Sequence, residues 1–253
     1  MANPEHQRPF HVDGGDVGVL FCHGFTGSPA SLRGWAEQTA EAGHTVSLPL
    51  LPGHGTVWQE LNVTSWRDWY DHVDAEYRRL TDRCERVFVA GLSMGGSLAL
   101  RLAEQHTDVA GLMLVNPALG AVDPMAKFAG VLKYLVPATP SIGNDIALEG
   151  VDEGAYEMTP VYGVHELHKL WTDVKSVLDL VTCPLILFRS TVDHVVPGTS
   201  SDTILRLVSS ADITEVDLPN SYHVATLDHD ANTIVEDSLA FIQRVTAGEG
   251  ASA

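Results

Sequence analysis

Apolar residues along this chain gather in short runs that recur at wide intervals: Val17–Cys22, Thr45–Leu48, Arg86–Ala90, Gly111–Val115, Leu185–Phe188 and Ile213–Leu218. The runs are rich in Val, Leu, Ile and Phe, the pattern of strands covered on both faces. Stretches with helical spacing lie between them. Ser28–Glu41 opens on Ser-Pro and stops at Gly43, and Trp66–Leu80, Met94–Gln105, Ser201–Val208 and Ala231–Val245 read in the same way. In the last of these, Ile234, Leu239, Ile242 and Val245 follow one helical face. Strands alternating with helices predict an α/β class: a mostly parallel twisted sheet with helices on both faces.

Residues 118–171 break this rhythm. They are rich in Pro, Gly and acidic residues and hold no convincing strand. Within them Pro124–Val136 spaces Met125, Phe128, Leu132 and Leu135 by three or four, which predicts an amphipathic helix after Asp123-Pro124. A long irregular insertion in a compact domain is usually functional, so a cap over a site is expected here rather than a connector packed on the core. The expected organisation is a core of 1–117 and 172–247, a cap or lid of 118–171, and a disordered tail of 248–253. No internal repeat is present.

Composition narrows the partners. The chain of 253 residues carries 33 acidic and 15 basic side chains, a formal charge of -18. That argues against nucleic acid or an anionic membrane surface as the main partner. Cys22, Cys84 and Cys183 are odd in number and widely spaced, which predicts free thiols and neither a disulfide framework nor a zinc site. The first residues hold no apolar signal segment, and no apolar run is long enough to span a bilayer, so a cytoplasmic protein is expected. No dinucleotide or phosphate-loop pattern occurs. His165-Glu166-Leu167-His168 places its histidines three apart, not the four of a zinc-protease helix. Neither cofactor nor metal is expected.

The chemistry concentrates at four strand ends. Gly91-Leu92-Ser93-Met94-Gly95-Gly96 lies between a strand and a helix, the context in which a serine nucleophile sits on a sharp turn and glycines make room for it. His23-Gly24-Phe25-Thr26-Gly27 follows the first strong strand. An oxyanion needs two aimed N–H donors, here expected from the main chain of Phe25 and Met94. His23 is expected to brace that loop. Asp193 follows the run Leu185–Phe188, and His223 follows Ile213–Leu218. The order Ser93, Asp193, His223 supplies a nucleophile, the acid that orients the base, and the base. His194 is too near Asp193 in sequence to face it, and Asp228 is expected to cap the last helix.

Four segments together resemble the bacterial monoacylglycerol lipases and small bacterial carboxylesterases of the α/β-hydrolase superfamily. They are Cys22-His23-Gly24-Phe25-Thr26-Gly27-Ser28-Pro29, Gly91 to Gly96, Asp193-His194-Val195-Val196-Pro197 and Ser221-Tyr222-His223-Val224-Ala225-Thr226-Leu227-Asp228. The resemblance runs from about Phe10 to Val245. It implies an α/β-hydrolase fold with a cap insertion and the same three catalytic residues. Ile142 to Ile146 and Glu149 to Glu153 look like that group's cap. The resemblance therefore implies substrate contacts from Ile142 and Phe25, and Glu153 as the acceptor for the hydroxyls of a glycerol leaving group. Gly154 and the stretch Pro124 to Pro140 depart from the pattern. The expected activity is hydrolysis of carboxylic esters, monoacylglycerols first, through an acyl-enzyme. Its rivals are a general carboxylesterase for short and medium acyl chains and a non-catalytic binding protein on the same fold. The expected partner is a small acyl ester. Nucleic acid and stable membrane insertion are not expected, and contact with a lipid interface would be a passing one through the cap. The oligomeric state is left open.

Overall fold

The computed structural model describes residues 7–141 and 143–248. Seven strands form one sheet: β1 (Phe10–Val12), β2 (Val17–Cys22), β3 (Thr45–Leu48), β4 (Arg86–Leu92), β5 (Val109–Val115), β8 (Leu185–Ser190) and β9 (Ile213–Leu218). They lie in the order β1-β3-β2-β4-β5-β8-β9, with β1 antiparallel to β3 and every other pairing parallel. The central strands are buried along almost their whole length, which is why they read as unbroken apolar runs. Edge strand β9 is largely exposed and carries Glu215 and Asp217, charges that discourage further pairing at that edge.

Helices cover both faces. On one face α1 (Arg33–Glu41) and α8 (Ala231–Thr246) bury Trp35, Ile234, Phe241 and Ile242 against Phe21, Phe88 and Met113. On the other, α3 (Trp66–Thr81), α4 (Met94–Gln105), α6 (Val161–Ser176) and α7 (Thr199–Leu207) pack Trp69, Leu98, Leu170 and Ile204 over Leu20, Val89 and Leu112. Helix α4 is apolar nearly all round because it lies inside this layer. After β2 the chain moves outward to β3, then returns to the other side of β2 to make β4. The carboxyl ends of β2 and β4 therefore flank the point where strand order reverses, the usual place for a site in an open α/β sheet.

The segment between β5 and β8 differs from the single amphipathic helix expected at Pro124–Val136. It forms a 3-10 turn at Pro124–Phe128 and one helical turn, α5 (Ala129–Leu132), broken where Lys133 and Tyr134 turn the chain. Strands β6 (Ala138–Pro140) and β7 (Met158–Pro160), absent from the sequence reading, pair antiparallel as a small second sheet. Helix α6 begins in this segment and runs unbroken past residue 171, because Leu167, Leu170, Trp171 and Val174 all face the core. Helix α2 (Trp58–Leu61) and strand β1 were too short to register as periodic patterns. The expected helix at Ser28–Glu41 divides into a 3-10 turn at Pro29–Leu32 and α1. No helix among the described residues is long and apolar enough to cross a membrane. Of the expected tail, Gly248 is described and 249–253 lie outside the described residues.

Candidate active site

Ser93 stands between β4 and α4 with φ 55° and ψ −116°, a backbone region that side-chain-bearing residues rarely adopt. The surroundings force it there. Its N–H donates to the Val115 carbonyl at 3.1 Å, and its carbonyl accepts the N–H groups of Gly96, Ser97 and Ala118. Close packing leaves no room for side chains on either side of the turn. A β-carbon on Gly91 would collide with the Gly95 carbonyl, and one on Gly95 with the Cys22 carbonyl. Met94 opens α4, so its N–H has no carbonyl within the helix to meet.

Asp193 and His223, each in the loop after a late strand, meet through their side chains. His223 Nδ1 lies 2.7 Å from Asp193 Oδ2, while Asp193 Oδ1 accepts the N–H groups of Val195 at 2.9 Å and Val196 at 2.8 Å. Burial works against the Asp193 carboxylate, but the His223 contact and the two N–H bonds outweigh it and hold the acid below its ordinary pKa. Burial likewise opposes an imidazolium at His223. The Asp193 hydrogen bond and charge, with the Glu153 and Asp145 charges behind, more than offset it, and the imidazole sits above the ordinary histidine value.

The loop after β2 closes the opposite side. A β-carbon on Gly24 would lie 3.7 Å from Ser93 Cβ, so this loop passes directly beside the serine. His23 is fully buried and fixed as a single tautomer: Nδ1 donates to the Gly24 carbonyl at 3.0 Å, and Nε2 accepts the Leu51 N–H at 3.1 Å. Burial is the main reason its pKa falls to about 4, so the ring is neutral and braces the loop. The Phe25 ring leans on Trp69, with centroids 5.9 Å apart.

Ser93, His223, Phe25 and Met94 share a cavity of about 210 Å³. Its wall includes the apolar side chains of Ala129, Leu132, Val161, Val164, Leu167 and Trp171 and the carboxylates of Glu153 and Asp145. Burial raises the pKa of Glu153, opposed by the hydrogen bond from the Asn144 N–H. Asn144 Oδ1 accepts the Glu153 N–H in return, so the two residues lock each other. The other Glu153 oxygen, Oε2, faces Gly27 at the cavity wall. Ile142, expected among the substrate contacts, lies outside the described residues. His165 and His168, of the fragment with metal-like residue types, lie on α6 in the layer around the cavity.

Two residues beside these groups, Asn116 and Asp145, were given no role in the sequence reading, and a third, Asp228, was given a different one. Asn116 has φ 43° and joins the end of β5 to the His223 loop, its amide donating to Ser190 Oγ at 2.9 Å and to the His223 carbonyl at 2.8 Å. An Asn directly after a buried strand, tolerant of positive φ, was the available signal. Asp145 contacts the loops of both Asp193 and His223. Asp228 does not cap α8 as expected. Its carboxylate accepts the N–H groups of Ala147, Leu148, Tyr222 and His229, and Asp230 takes the position before the helix. Four main-chain donors from two segments outcompete a single helix start.

Known proteins resemble this chain over most of its length. The family described as serine aminopeptidase S33, Hydrolase_4, matches residues 16–230. A thermostable monoacylglycerol lipase of Bacillus sp. (strain H-257) is 45% identical over 243 residues, 94% of each chain. A carboxylesterase of Bacillus subtilis (strain 168) is 28% identical, covering 94% of this chain and 97% of its own. A solved structure from work on LipS and LipT, two metagenome-derived lipolytic enzymes, superposes with a TM-score of 0.92 at 40% identity, covering 94% of this chain and 98% of the other.

Proposed function

The chain belongs to the serine aminopeptidase S33 family, Hydrolase_4, and is a carboxylic ester hydrolase; on that footing we propose that it cleaves monoacylglycerols to glycerol and a fatty acid. The carrying observation is the make-up of the cavity wall. Apolar side chains from α5 and α6 suit an acyl chain, Ser93 and His223 line the same cavity, and Glu153 offers a hydrogen-bond acceptor for a hydroxylated alcohol. The likeness to the Bacillus monoacylglycerol lipase supports the same substrate.

In this reading Ser93 Oγ attacks the ester carbonyl while His223 Nε2 takes its proton. The main-chain N–H groups of Phe25 and Met94 hold the oxyanion. The C–O bond to glycerol breaks, and His223 returns the proton to the departing alcohol. Water then attacks the acyl-serine, again giving a proton to His223. Collapse of the second oxyanion releases the fatty acid and restores Ser93. Asp193 keeps the imidazole in the tautomer this requires. The segment 118–171 acts as the cap, supplying most of the apolar side chains of the cavity wall.

Relative rates on monoacyl-, diacyl- and triacylglycerols, beside methyl esters of the same acids, test the substrate. Monoacylglycerols should be preferred, and indifference to the alcohol with a peak at short acyl chains would instead support a general carboxylesterase, the activity named for the Bacillus subtilis relative. Glu153→Ala should lower kcat/KM for a glycerol ester by about 10- to 100-fold, the worth of hydrogen bonds to a charged acceptor, and leave the methyl ester nearly unchanged. An equal loss on both would remove Glu153 from alcohol recognition.

The cap also bears the surface suited to a passing lipid contact. Phe128, Val131, Tyr134 and Leu135 are exposed at 58%, 66%, 80% and 74%. The stretch 124–137 carries Lys127 and Lys133 and no carboxylate, and all four lysines of this acidic chain (Lys127, Lys133, Lys169 and Lys175) fall between residues 127 and 175. Phe128→Glu with Leu135→Glu should slow hydrolysis of emulsified long-chain monoacylglycerol by about tenfold or more, since each exposed apolar side chain gains about 1.5–3 kcal/mol on burial. The rate on a water-soluble short ester should not change. Equal rates on the emulsion for variant and parent would remove the lipid contact.

A further inference from the structure

Asp145 belongs to the segment between β5 and β8, yet its polar contacts run to the two loops that carry Asp193 and His223. Its Oδ1 lies 2.8 Å from His194 Nδ1. Its Oδ2 accepts the N–H of His194 at 3.1 Å and the N–H of His223 at 3.2 Å. Its main-chain carbonyl accepts the N–H of Val224 at 3.1 Å. The Asp145 side chain is 10% exposed, while its partner His194 is 55% exposed and stands edge-on to Tyr222 with ring centroids 4.9 Å apart. The residues that follow are held as firmly, because Asp228 binds the N–H groups of Ala147 at 2.6 Å and Leu148 at 2.9 Å together with that of Tyr222 at 2.9 Å. The strip 145–148 is therefore pinned to the base loop by carboxylates pointing in both directions, one from the insertion and one from the core.

We infer that Asp145 is a positioning residue for ester hydrolysis, a strut that joins the loop of Asp193 to the loop of His223 and makes both part of one unit with the insertion. The two loops follow different strands, and their relative placement fixes the distance across which Asp193 orients the imidazole. Without Asp145, the main-chain N–H groups of His194 and His223 lose a shared acceptor, and the loops gain freedom where a displacement of about 1 Å can cost about 10²-fold in rate. The strut also carries charge. The ionisable groups facing His223 are Asp193, Glu153 and Asp145, and those facing Asp145 are His194, His223 and Glu153. A carboxylate this close favours the imidazolium, so removing its charge makes the base easier to deprotonate.

The inference rests on His223 being the base, and the test separates the two claims. Asp145→Ala, Asp145→Asn and Asp193→Asn are compared with the parent on a water-soluble ester across pH 5–9, with thermal midpoints recorded. Asp145→Ala should lower kcat by about 10²-fold with KM changed by less than about threefold. Asp145→Asn, which keeps the shape and one acceptor, should move the acid limb of kcat/KM to lower pH and recover part of the lost kcat. A purely structural role would lower the thermal midpoint and leave the pH limb in place, and that result overturns the inference. So does a parent-like kcat in both Asp145 variants while Asp193→Asn is disabled. If Asp193→Asn itself turns over like the parent, the assignment of the base fails and the strut with it. Should Asp145→Ala fail to fold, the pH limb of the near-isosteric Asp145→Asn decides alone.

Discussion

Ser93→Ala is expected to lower kcat for ester hydrolysis by about 10⁶-fold, the loss seen when the nucleophile of a serine triad is removed, with little change in folding. The two halves of that expectation come from different parts of the turn. The chemistry depends on the hydroxyl alone. The backbone is held independently, by the Ser93 N–H on the Val115 carbonyl and by three N–H groups converging on the Ser93 carbonyl. The strained φ of 55° belongs to the fold and not to the hydroxyl. Ser93→Gly should therefore be equally inactive yet more stable than Ser93→Ala, because glycine relieves strain of about 1–3 kcal/mol. Steady-state turnover, labelling by an active-site phosphonate and denaturant midpoints measure the three quantities. Ordinary turnover by Ser93→Ala would remove the serine mechanism, and a parent protein inert to the phosphonate would favour a binding protein on this fold.

The second large effect is expected at Asp193. Asp193→Asn should lower kcat by about 10⁴-fold, as the matching change does in serine proteases, and the hydrogen bonds say why. Oδ1 is committed to the N–H groups of Val195 and Val196. An asparagine would keep its oxygen there and turn its NH₂ toward His223. Nδ1 would then have to accept, the ring proton would move to Nε2, and the base would meet Ser93 as a donor unable to take a proton. The pH profile carries the same information. In the parent, kcat/KM should rise with pH through the His223 pKa, which lies above the ordinary histidine value because of Asp193, Glu153 and Asp145. Activity is lost below that pKa, where the imidazole is already protonated. In Asp193→Asn the raising influence of the acid disappears while burial remains, so the residual activity should extend to lower pH. An unmoved acid limb would mean that a different group governs it.

The core of this site was legible because each contributing residue follows an apolar strand run, buried on both faces in β2, β4 and β8 and apolar enough to read even at the exposed edge strand β9. Ser93 after β4, Asp193 after β8, His223 after β9 and the Phe25 loop after β2 could all be placed by counting strands. The insertion was not legible in the same way. Its regular pieces are three to five residues long until α6 begins, too short for periodicity to show. Its anchorage depends on carboxylates whose partners lie far along the chain: Asp145 reaches residues 49 and 78 positions away, and Asp228 reaches back 80 and 81. Local propensity offers an aspartate a nearby helix end. It carries no sign that several distant N–H groups will converge instead, which is why Asp228 was misread and Asp145 passed over.

The confinement of every lysine to residues 127–175 has a consequence for peptide-bond cleavage. A protease that cuts only after lysine finds no susceptible bond before Lys127 or after Lys175, so it can act on the native molecule only within the insertion and α6. Lys169 and Lys175 sit on the regular helix α6, whereas Lys127 and Lys133 flank its short neighbour α5. The first nicks should therefore fall beside the cavity wall, leaving the strands that carry Ser93, Asp193 and His223 intact on two large fragments.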